Sequence, residues 1–453
     1  MIDPNRLMED LLDKGAEYCD IRKEEWDRMS VTLKDGEIDK ISQGGEEGAI
    51  VRVLYKNGWG CVGTSNLDDI KEASERALSM AKSSDEFKNE ETGLAETEIQ
   101  KDDVKMPMDE NPLDVDTEEK ISLVRDLEDK INRDFVSSTE VRYGETVVEK
   151  EITTSEGTQV MMEIPRVITY LIITGESDTI QRATEGAGGT GGYELTEKAY
   201  EKVDVVTERL KKLLEADTPP SGSLPLIMDP SLAGVFVHEA FGHAAEGDLL
   251  SSGNSCLKGK LGEKVAADGV NIKDDPTFKG YGQFPYDDEG TKAKNRVLVK
   301  DGVLNDFILD RESAWKLDME PNGGARAEDF RVKPLVRMSN TIIEPGDLKF
   351  EELIEKVDKG IYAKSSSGGQ VSTAEGTFQF NAQEGYLIED GEIVKPLRDV
   401  SFNGFTLETL QNITGISDDF EAGIGHCGKG QTASVSHGGP HMLISDVTVG
   451  GRE

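Results

Sequence analysis

Helical spacing of apolar residues occurs in four segments of the first half of the chain. We predict that three of these helices begin near Pro4, Asn66 and Thr117, and that the fourth covers residues 196–216. The residues predicted to form the buried faces of the first three helices are Leu7, Leu11, Leu12 and Ala16, then Ile70, Ala73, Ala77 and Met80, then Ile121, Val124, Leu127 and Ile131.

Strand-like segments lie between these helices. Residues 29–63 and 138–175 are predicted to form strands joined by tight hairpins. The residue pairs typical of such turns are Asp35-Gly36, Asn57-Gly58 and Glu156-Gly157. The second half repeats this pattern, and its clearest Asp-Gly hairpins lie in residues 298–304 and 387–393.

Other segments predict connections or a single helix. Residues 85–115 are polar, acidic and weakly patterned, which indicates a long connection. The glycine-rich segment 185–192 is predicted to be a flexible loop. Because no Gly-Lys-Ser/Thr follows it, a phosphate-binding loop is not indicated. A helix is expected near residues 350–359, with Gly360 as its C-cap.

This mixture of a few helices with hairpin-joined strands predicts an α+β protein. The proline- and glycine-containing residues 218–223 form the best candidate linker in the chain. We therefore expect two domains, an N-terminal one over residues 1–217 and a C-terminal one over residues 224–453.

Composition limits the functional classes. The chain has 453 residues, 51 Lys and Arg against 89 Asp and Glu, and a net charge of −38. Such an acidic surface repels phosphate backbones and anionic lipid, so direct nucleic-acid or membrane binding is disfavoured. The sequence contains neither an apolar run of about 20 residues nor a signal-peptide pattern. Four widely spaced cysteines fit a reducing compartment, so we expect a cytoplasmic protein.

Histidine is scarce and clustered in this chain. Its five histidines fall in two short segments, His238 with His243, and then His426, His437 and His441. The first pair belongs to an HExxxH sequence on a predicted helix that Asp229 caps. Five-residue spacing separates two side chains by roughly 140° on a regular helix, whereas the familiar HExxH separates them by roughly 40°. If both histidines bind one metal ion, the helix must therefore break or form a π-bulge near Gly242.

The second segment can complete a ligand set. Cys427 lies in a glycine-rich turn, and a thiolate with two imidazoles is a good zinc site that leaves a fourth position for water. His426 is a rival ligand, and Glu246 is another candidate for the third position. Glu246 and Asp248 are also candidates to accept hydrogen bonds from the imidazole N–H groups. The remaining histidines, at positions 437 and 441, are interpreted as ligands, substrate donors or strand-end residues, with a structural or peripheral role favoured.

Several separated segments, taken in order, resemble the TldD/PmbA family of metalloproteases, and the HExxxH segment places the resemblance on the TldD side. The segments that carry this resemblance are residues 238–248, 288–291, 336–341, 384–388, 427–429 and 448–451, together with the N-terminal hairpins at 34–36 and 57–60. The resemblance implies a zinc-dependent peptidase acting on short or unfolded peptides. It also implies a C-terminal domain with an extended, curved, mostly antiparallel sheet. The expected assembly is a homodimer or a heterodimer with a PmbA/TldE-like relative.

The same resemblance implies roles for individual residues. His238, His243 and Cys427 correspond to the zinc ligands, and Glu239 to the base that activates water. The competing hypothesis is a non-catalytic peptide-binding or scaffold protein with a structural zinc ion. Closure of the fourth ligand position by His426 would favour it, because structural zinc sites are fully protein-ligated.

Overall fold

The computed structural model describes residues 3–88, 90–131 and 134–450. The N-terminal half combines helices with hairpin-joined strands, as the hydrophobic pattern predicts. The elements of this half are α1 Pro4–Asp13, β1 Tyr18–Lys34, β2 Glu37–Tyr55, β3 Gly58–Thr64, α2 Ile70–Phe87, β4 Lys101–Lys105, α3 Thr117–Asp129, β5 Ser138–Thr154, β6 Gln159–Glu176, β7 Ile180–Thr190 and α4 Glu197–Glu215.

One seven-stranded sheet organises this half. Its strand order is β3-β2-β1-β5-β6-β4, and β7 also pairs with β6. All neighbours are antiparallel except β4, which runs parallel to β6. Apolar faces of α1 and α2 cover one part of the sheet, and α3 and α4 cover another. Hairpin turns at Asp35 and Lys56 have positive φ, which these short turns require.

Several expectations for this half need correction. Strand β1 begins at Tyr18, well before residue 29, and the expected connection 85–115 contains β4. The glycine-rich segment forms most of β7 instead of a loop. A Cβ at Gly188 would lie 2.2 Å from the Val167 carbonyl oxygen, so glycine permits this pairing although its strand propensity is low. Leu12 and Met80 are 37% and 50% exposed, so neither belongs to the buried face predicted for its helix.

The C-terminal half contains more strands and shorter helices. Its elements are β8 Gly222–Met228, α5 Pro230–Phe236, α6 Gly247–Ser251, β9 Ile272–Asp274, β10 Arg296–Lys300, β11 Val303–Leu304, α7 Arg311–Leu317, β12 Ala325–Arg326, β13 Leu335–Val336, β14 Asn340–Ile343, α8 Phe350–Glu355, β15 Lys359–Ser372, β16 Thr377–Glu389, β17 Glu392–Leu397, β18 Ser401–Phe405, α9 Thr406–Gln411, β19 Ile413–Ile416, β20 Glu421–Gly428, β21 Thr432–Gly439 and β22 Met442–Gly450.

Two larger sheets organise this half. A six-stranded sheet has the order β11-β10-β9-β14-β21-β20. In the other sheet, β15-β8-β22-β18-β16 closes on itself because β16 also pairs with β15. Only the β14–β21 and β15–β8 pairs are parallel in these two sheets as described. The predicted α+β class is confirmed, and so is the mostly antiparallel pairing. The division into two domains at residues 218–223 stays a prediction.

The expected C-cap at Gly360 is wrong. Helix α8 ends at Glu355, and Gly360 lies in β15. A Cβ there would approach the Pro225 carbonyl oxygen to 2.7 Å, so the glycine permits close pairing of β15 with β8. As for membrane spans, the described helices are too short or too polar for that role.

Helix α5 lies against β21 and β15 in the largest apolar core of the molecule. The helix approaches the backbone of β21 at Gly234, where an added Cβ would lie 2.6 Å from the Gly438 backbone nitrogen. Asp229 caps the helix by accepting from Leu232 N, and it also accepts from Ser365 N in β15. The helix is therefore fixed to two sheets at once.

Gly234→Ala tests this close approach. The added methyl group meets backbone atoms on a rigid strand, so we expect a loss of about 1–3 kcal/mol, seen as a lower thermal unfolding midpoint. Gly44→Ala is the matched control, because no described atom lies within 4 Å of its added Cβ. An equal midpoint for the two variants would contradict the close packing of α5 on β21.

Candidate metal centre

The helix that carries the HExxxH segment changes its winding at that segment. After α5, residues Val237–Gly242 form a π-helical turn, and His243–Ala245 form a 3-10 turn. The His243 backbone N–H donates to the His238 carbonyl oxygen, which is the five-residue bond of a π turn. The predicted bulge near Gly242 is confirmed. A Cβ on Gly242 would lie 2.2 Å from Met338 Sδ, so a larger residue at this turn would displace the Met338 side chain.

The π turn brings together the side chains expected to bind metal. Ligand atoms of His238, His243 and Cys427 all lie within 4.8 Å of one another. The centroids of the two imidazoles are 5.7 Å apart, and Cys427 Sγ lies 3.2 Å from His243 Nε2. All three residues are buried.

Strand alternation decides which side chain of β20 reaches this cluster. Cys427 pairs with Ala433 of β21, and its side chain points toward the helix. Its neighbour His426 therefore lies on the opposite face of the sheet, where Nε2 is 3.2 Å from the Tyr281 hydroxyl. The structure thus places His426 outside the cluster, although sequence proximity made it a rival of Cys427.

His243 is oriented by a buried carboxylate. Its Nδ1 lies 2.9 Å from Glu246 Oε2, and Glu246 is fully buried. Burial raises the pKa of Glu246, but the charges of His243, Lys429 and Arg337 outweigh this effect and hold the pKa below its usual value. This contact matches the expected hydrogen-bond acceptor, and the alternative in which Glu246 is itself the third ligand is not favoured.

Asp248 has a different partner from the one expected. Its carboxylate accepts from Lys429 Nζ at 2.9 and 2.8 Å and does not contact an imidazole among the described residues. Lys429 Nζ also lies 3.2 Å from Glu246 Oε2 and donates to the Val336 carbonyl oxygen. The lysine therefore connects both acidic residues to the segment around β13.

His238 has one engaged and one unengaged ring nitrogen. Nδ1 lies 3.1 Å from Thr341 Oγ1, whereas Nε2 is buried and has no hydrogen-bond partner among the described residues. Burial, the largest cause, lowers the pKa of His238 well below its usual value, so the imidazole is neutral. A buried, unpaired nitrogen beside a thiol and a second imidazole fits a bound metal ion.

Glu239 lies at the open side of the cluster. Its Oε2 is 3.6 Å from His243 Nε2, and its side chain is 36% exposed. Burial raises the pKa of this carboxyl group, and the neighbouring Glu246 acts in the same direction. The group is thus close to the ligand atoms and accessible to solvent, as a proton acceptor requires.

The two remaining histidines have different positions. His437 pairs with Thr341 in the β14–β21 ladder and lies on the sheet face that bears Cys427; burial lowers its pKa to about 4. In His441 both ring nitrogens have partners, Asp419 at Nδ1 and the Tyr362 hydroxyl, 2.9 Å away, at Nε2. His441 therefore has a structural environment and no available ligand atom.

Sequence reasoning assigned no role to three residues that hold the cluster in place. These residues are Thr341, Arg337 and Lys429. Arg337 donates to the Cys427 carbonyl oxygen at 2.6 Å, and its Nε lies 3.9 Å from Glu246 Oε1. All three lie in segments that carried the family resemblance, which is the only signal that pointed to them.

Comparison with known proteins finds relatives along most of the chain. Three family models match the chain: PmbA/TldA metallopeptidase domain 1 over residues 19–81, the central domain over residues 110–215 and the C-terminal domain over residues 221–451. A metalloprotease of Methanothermobacter thermautotrophicus is 42% identical over 98% of both chains. A zinc metalloprotease TldD homolog of Saccharolobus solfataricus is 31% identical over 96% of this chain and 97% of its own.

Solved structures share the fold. A Thermotoga maritima protein matches with a TM-score of 0.81 and 23% identity, covering 98% of both chains. TldE from Thermococcus kodakarensis matches with a TM-score of 0.79 and 20% identity, covering 98% of this chain and all of its own.

The relatives named as metalloproteases define this chain as a metallopeptidase, which confirms the expected enzyme class. The chain belongs to the TldD/PmbA family.

Glu246→Gln tests the buried charges behind the site. Removing this carboxylate takes the buried counter-charge from Arg337 and leaves Lys429 paired with Asp248 alone, so we expect a loss of about 3–5 kcal/mol in the metal-free protein. Asp248→Asn is the matched control. It also faces Lys429, but Asp248 is 35% exposed and should contribute less than about 1 kcal/mol. The measurement is the thermal unfolding midpoint of each variant. Equal decreases in the two variants would contradict the prediction that Glu246 contributes more stability than Asp248.

Proposed function

We propose that the protein is a zinc-dependent peptidase in which His238, His243 and Cys427 hold the metal ion. The convergence of their ligand atoms in a buried cluster, with His238 Nε2 unpaired, carries this proposal. Two imidazoles and a thiolate are a suitable zinc set that leaves one position open. The Saccharolobus solfataricus relative that bears zinc in its name supports the choice of metal.

Glu239 acts as the general base and acid in this proposal. A bound zinc ion would supply Lewis-acid chemistry, by lowering the pKa of water and polarising the scissile carbonyl group. Glu239 accepts the proton of the attacking water and later delivers it to the leaving amine. Its raised pKa supports both transfers, because a carboxyl group is a better proton shuttle when its pKa approaches the working pH.

The substrate is a short or unfolded peptide in an extended conformation. Strand β20, which carries Cys427, is the last strand of its six-stranded sheet in the described structure. An extended peptide can pair with such an edge through its backbone, which gives affinity with little dependence on sequence. This arrangement would bring the scissile bond close to Glu239.

The proposed assembly is a dimer, and the proposed compartment is the cytoplasm. The shared fold with TldE supports pairing of this chain with itself or with a TldE-like relative. All four cysteines lie within the described residues and none forms a disulfide, which supports a cytoplasmic location. A structural zinc ion in a scaffold protein is less favoured, because His426 lies on the wrong sheet face to close the fourth position.

Glu239→Gln should separate metal binding from catalysis. The glutamine cannot accept a proton, so we expect kcat on an unstructured peptide to fall by about 10²–10⁴-fold. Zinc content, measured by elemental analysis, should stay at the wild-type level because Glu239 is not a ligand. Full activity in this variant would contradict the assignment of Glu239 as the general base.

Cys427→Ser tests the thiolate ligand. We expect zinc affinity, measured by competition with a chelator, to fall by at least about 10-fold, with a parallel loss of hydrolysis. Cys256→Ser is the matched control, because Cys256 lies in a loop outside the cluster. If both variants bind zinc as the wild type does, Cys427 is not a ligand.

A further inference from the structure

We propose that Thr341, held by Asp274, is a positioning residue that keeps the proton of His238 on Nδ1 and leaves Nε2 free to bind metal. The assignment of the proton depends only on hydrogen-bond geometry. Its consequence for the metal rests on the proposed function.

The proton assignment follows from the donors available. Thr341 Oγ1 lies 3.1 Å from Asp274 Oδ2 and 3.1 Å from His238 Nδ1. A carboxylate accepts hydrogen bonds and cannot donate them, and a hydroxyl group has one proton. Thr341 therefore donates to Asp274 and must accept from His238. The imidazole can satisfy this contact only in the tautomer that carries its proton on Nδ1.

Asp274 is itself fixed in place. Its Oδ1 lies 2.7 Å from Arg296 Nη2, and both side chains are fully buried. Ser339 donates to the same carboxylate from its backbone nitrogen, at 2.9 Å, and from its hydroxyl, at 2.6 Å. Because these donors stabilise the charged carboxylate, the Thr341 hydroxyl has a strong acceptor on the side away from the histidine.

The residues that orient His238 lie in a sheet and not in a loop. Asp274 in β9 and Thr341 in β14 stand directly opposite each other in the antiparallel ladder. Side chains that are opposite each other share a sheet face, so their contact follows from the strand register. The hydroxyl group is thus held at a fixed position in front of the His238 ring. Such rigid outer contacts are what orient metal-binding imidazoles.

The two histidines differ in this respect. His243 Nδ1 faces Glu246 directly, a residue three positions later in the same segment. His238 instead faces the Thr341 hydroxyl group, which is itself oriented by its hydrogen bond to Asp274. Asp274 lies more than 30 residues from His238 in sequence. Loss of Thr341 should therefore affect His238 and leave the His243 contact intact.

The tautomer can be measured in the metal-free protein. With only five histidines, selective ¹⁵N-histidine labelling gives few signals, and long-range ¹H–¹⁵N NMR distinguishes a protonated ring nitrogen from an unprotonated one. We expect Nδ1 of His238 to be protonated and Nε2 to be unprotonated in the wild type. A proton on Nε2 in the wild type overturns the proposal without the use of any variant.

The variants Thr341→Val and Thr341→Ser test whether the Thr341 hydroxyl group sets the tautomer of His238. Valine keeps the shape but removes the hydroxyl group, so the Nδ1 tautomer should lose its preference and the zinc Kd should rise about 10–100-fold. Serine restores the hydroxyl group and should restore both readouts. Thr169→Val is the matched control, since this buried hydroxyl group has no hydrogen-bond partner among the described residues. A wild-type tautomer and a wild-type zinc Kd in Thr341→Val would overturn the proposal.

The two readouts also separate this inference from the proposed function. If the wild type carries the proton on Nδ1 but binds no zinc, the zinc peptidase proposal fails and the role of Thr341 in fixing the tautomer stands. If zinc binds tightly and Thr341→Val changes neither readout, the peptidase proposal stands and the role of Thr341 fails.

Discussion

The hydrogen bond from the His243 backbone N–H to the His238 carbonyl oxygen determines the geometry of the whole centre. In a regular helix, the five-residue spacing would point the two imidazoles in directions roughly 140° apart. The π turn places these residues on the same side, and this winding is stable only where the surroundings enforce it. Gly242 packs against Met338, and Gly234 packs against the backbone of β21, so the neighbouring sheet leaves the segment little freedom to rewind.

Charge has a complementary role behind the ligands. The chain carries a net charge of −38, yet two cations, Arg337 and Lys429, lie beside the buried Glu246. Arg337 also donates to the Cys427 carbonyl oxygen, so one guanidinium group links the strand that bears the thiol to the carboxylate that orients His243. A rigid planar donor suits this double contact better than an ammonium group would. Side chains of the candidate centre that are far apart in sequence are thereby held together by one buried ionic group.

Sequence patterns predicted much of this structure because caps, turns and helix winding depend on residues that are close in sequence. The helix cap at Asp229, the hairpin at Asp35 and the bulge required by the histidine spacing all follow from a few neighbouring residues. The predictions that were wrong concern features that depend on tertiary contacts. Glycines of β7 form a strand because β6 supplies partners, and His426 leaves the site because strand alternation assigns it to the other face. Thr341 and Asp274 could not be predicted as a pair, since their contact depends on a strand register that the sequence does not display.

The residues that orient the side chains of the centre come from two parts of the structure. Glu246 follows His243 in the same segment, so that half of the site is formed wherever the turn after the π helix is formed. His238 depends on β9 and β14, and Cys427 on β20, so the other half exists only when the six-stranded sheet is assembled. Because β14 and β20 both pair with β21, a single strand sets the distance between the Thr341 hydroxyl group beside His238 and the Cys427 thiol. If the centre binds metal as proposed, binding requires the completed sheet, and a partly folded chain would not hold the ion.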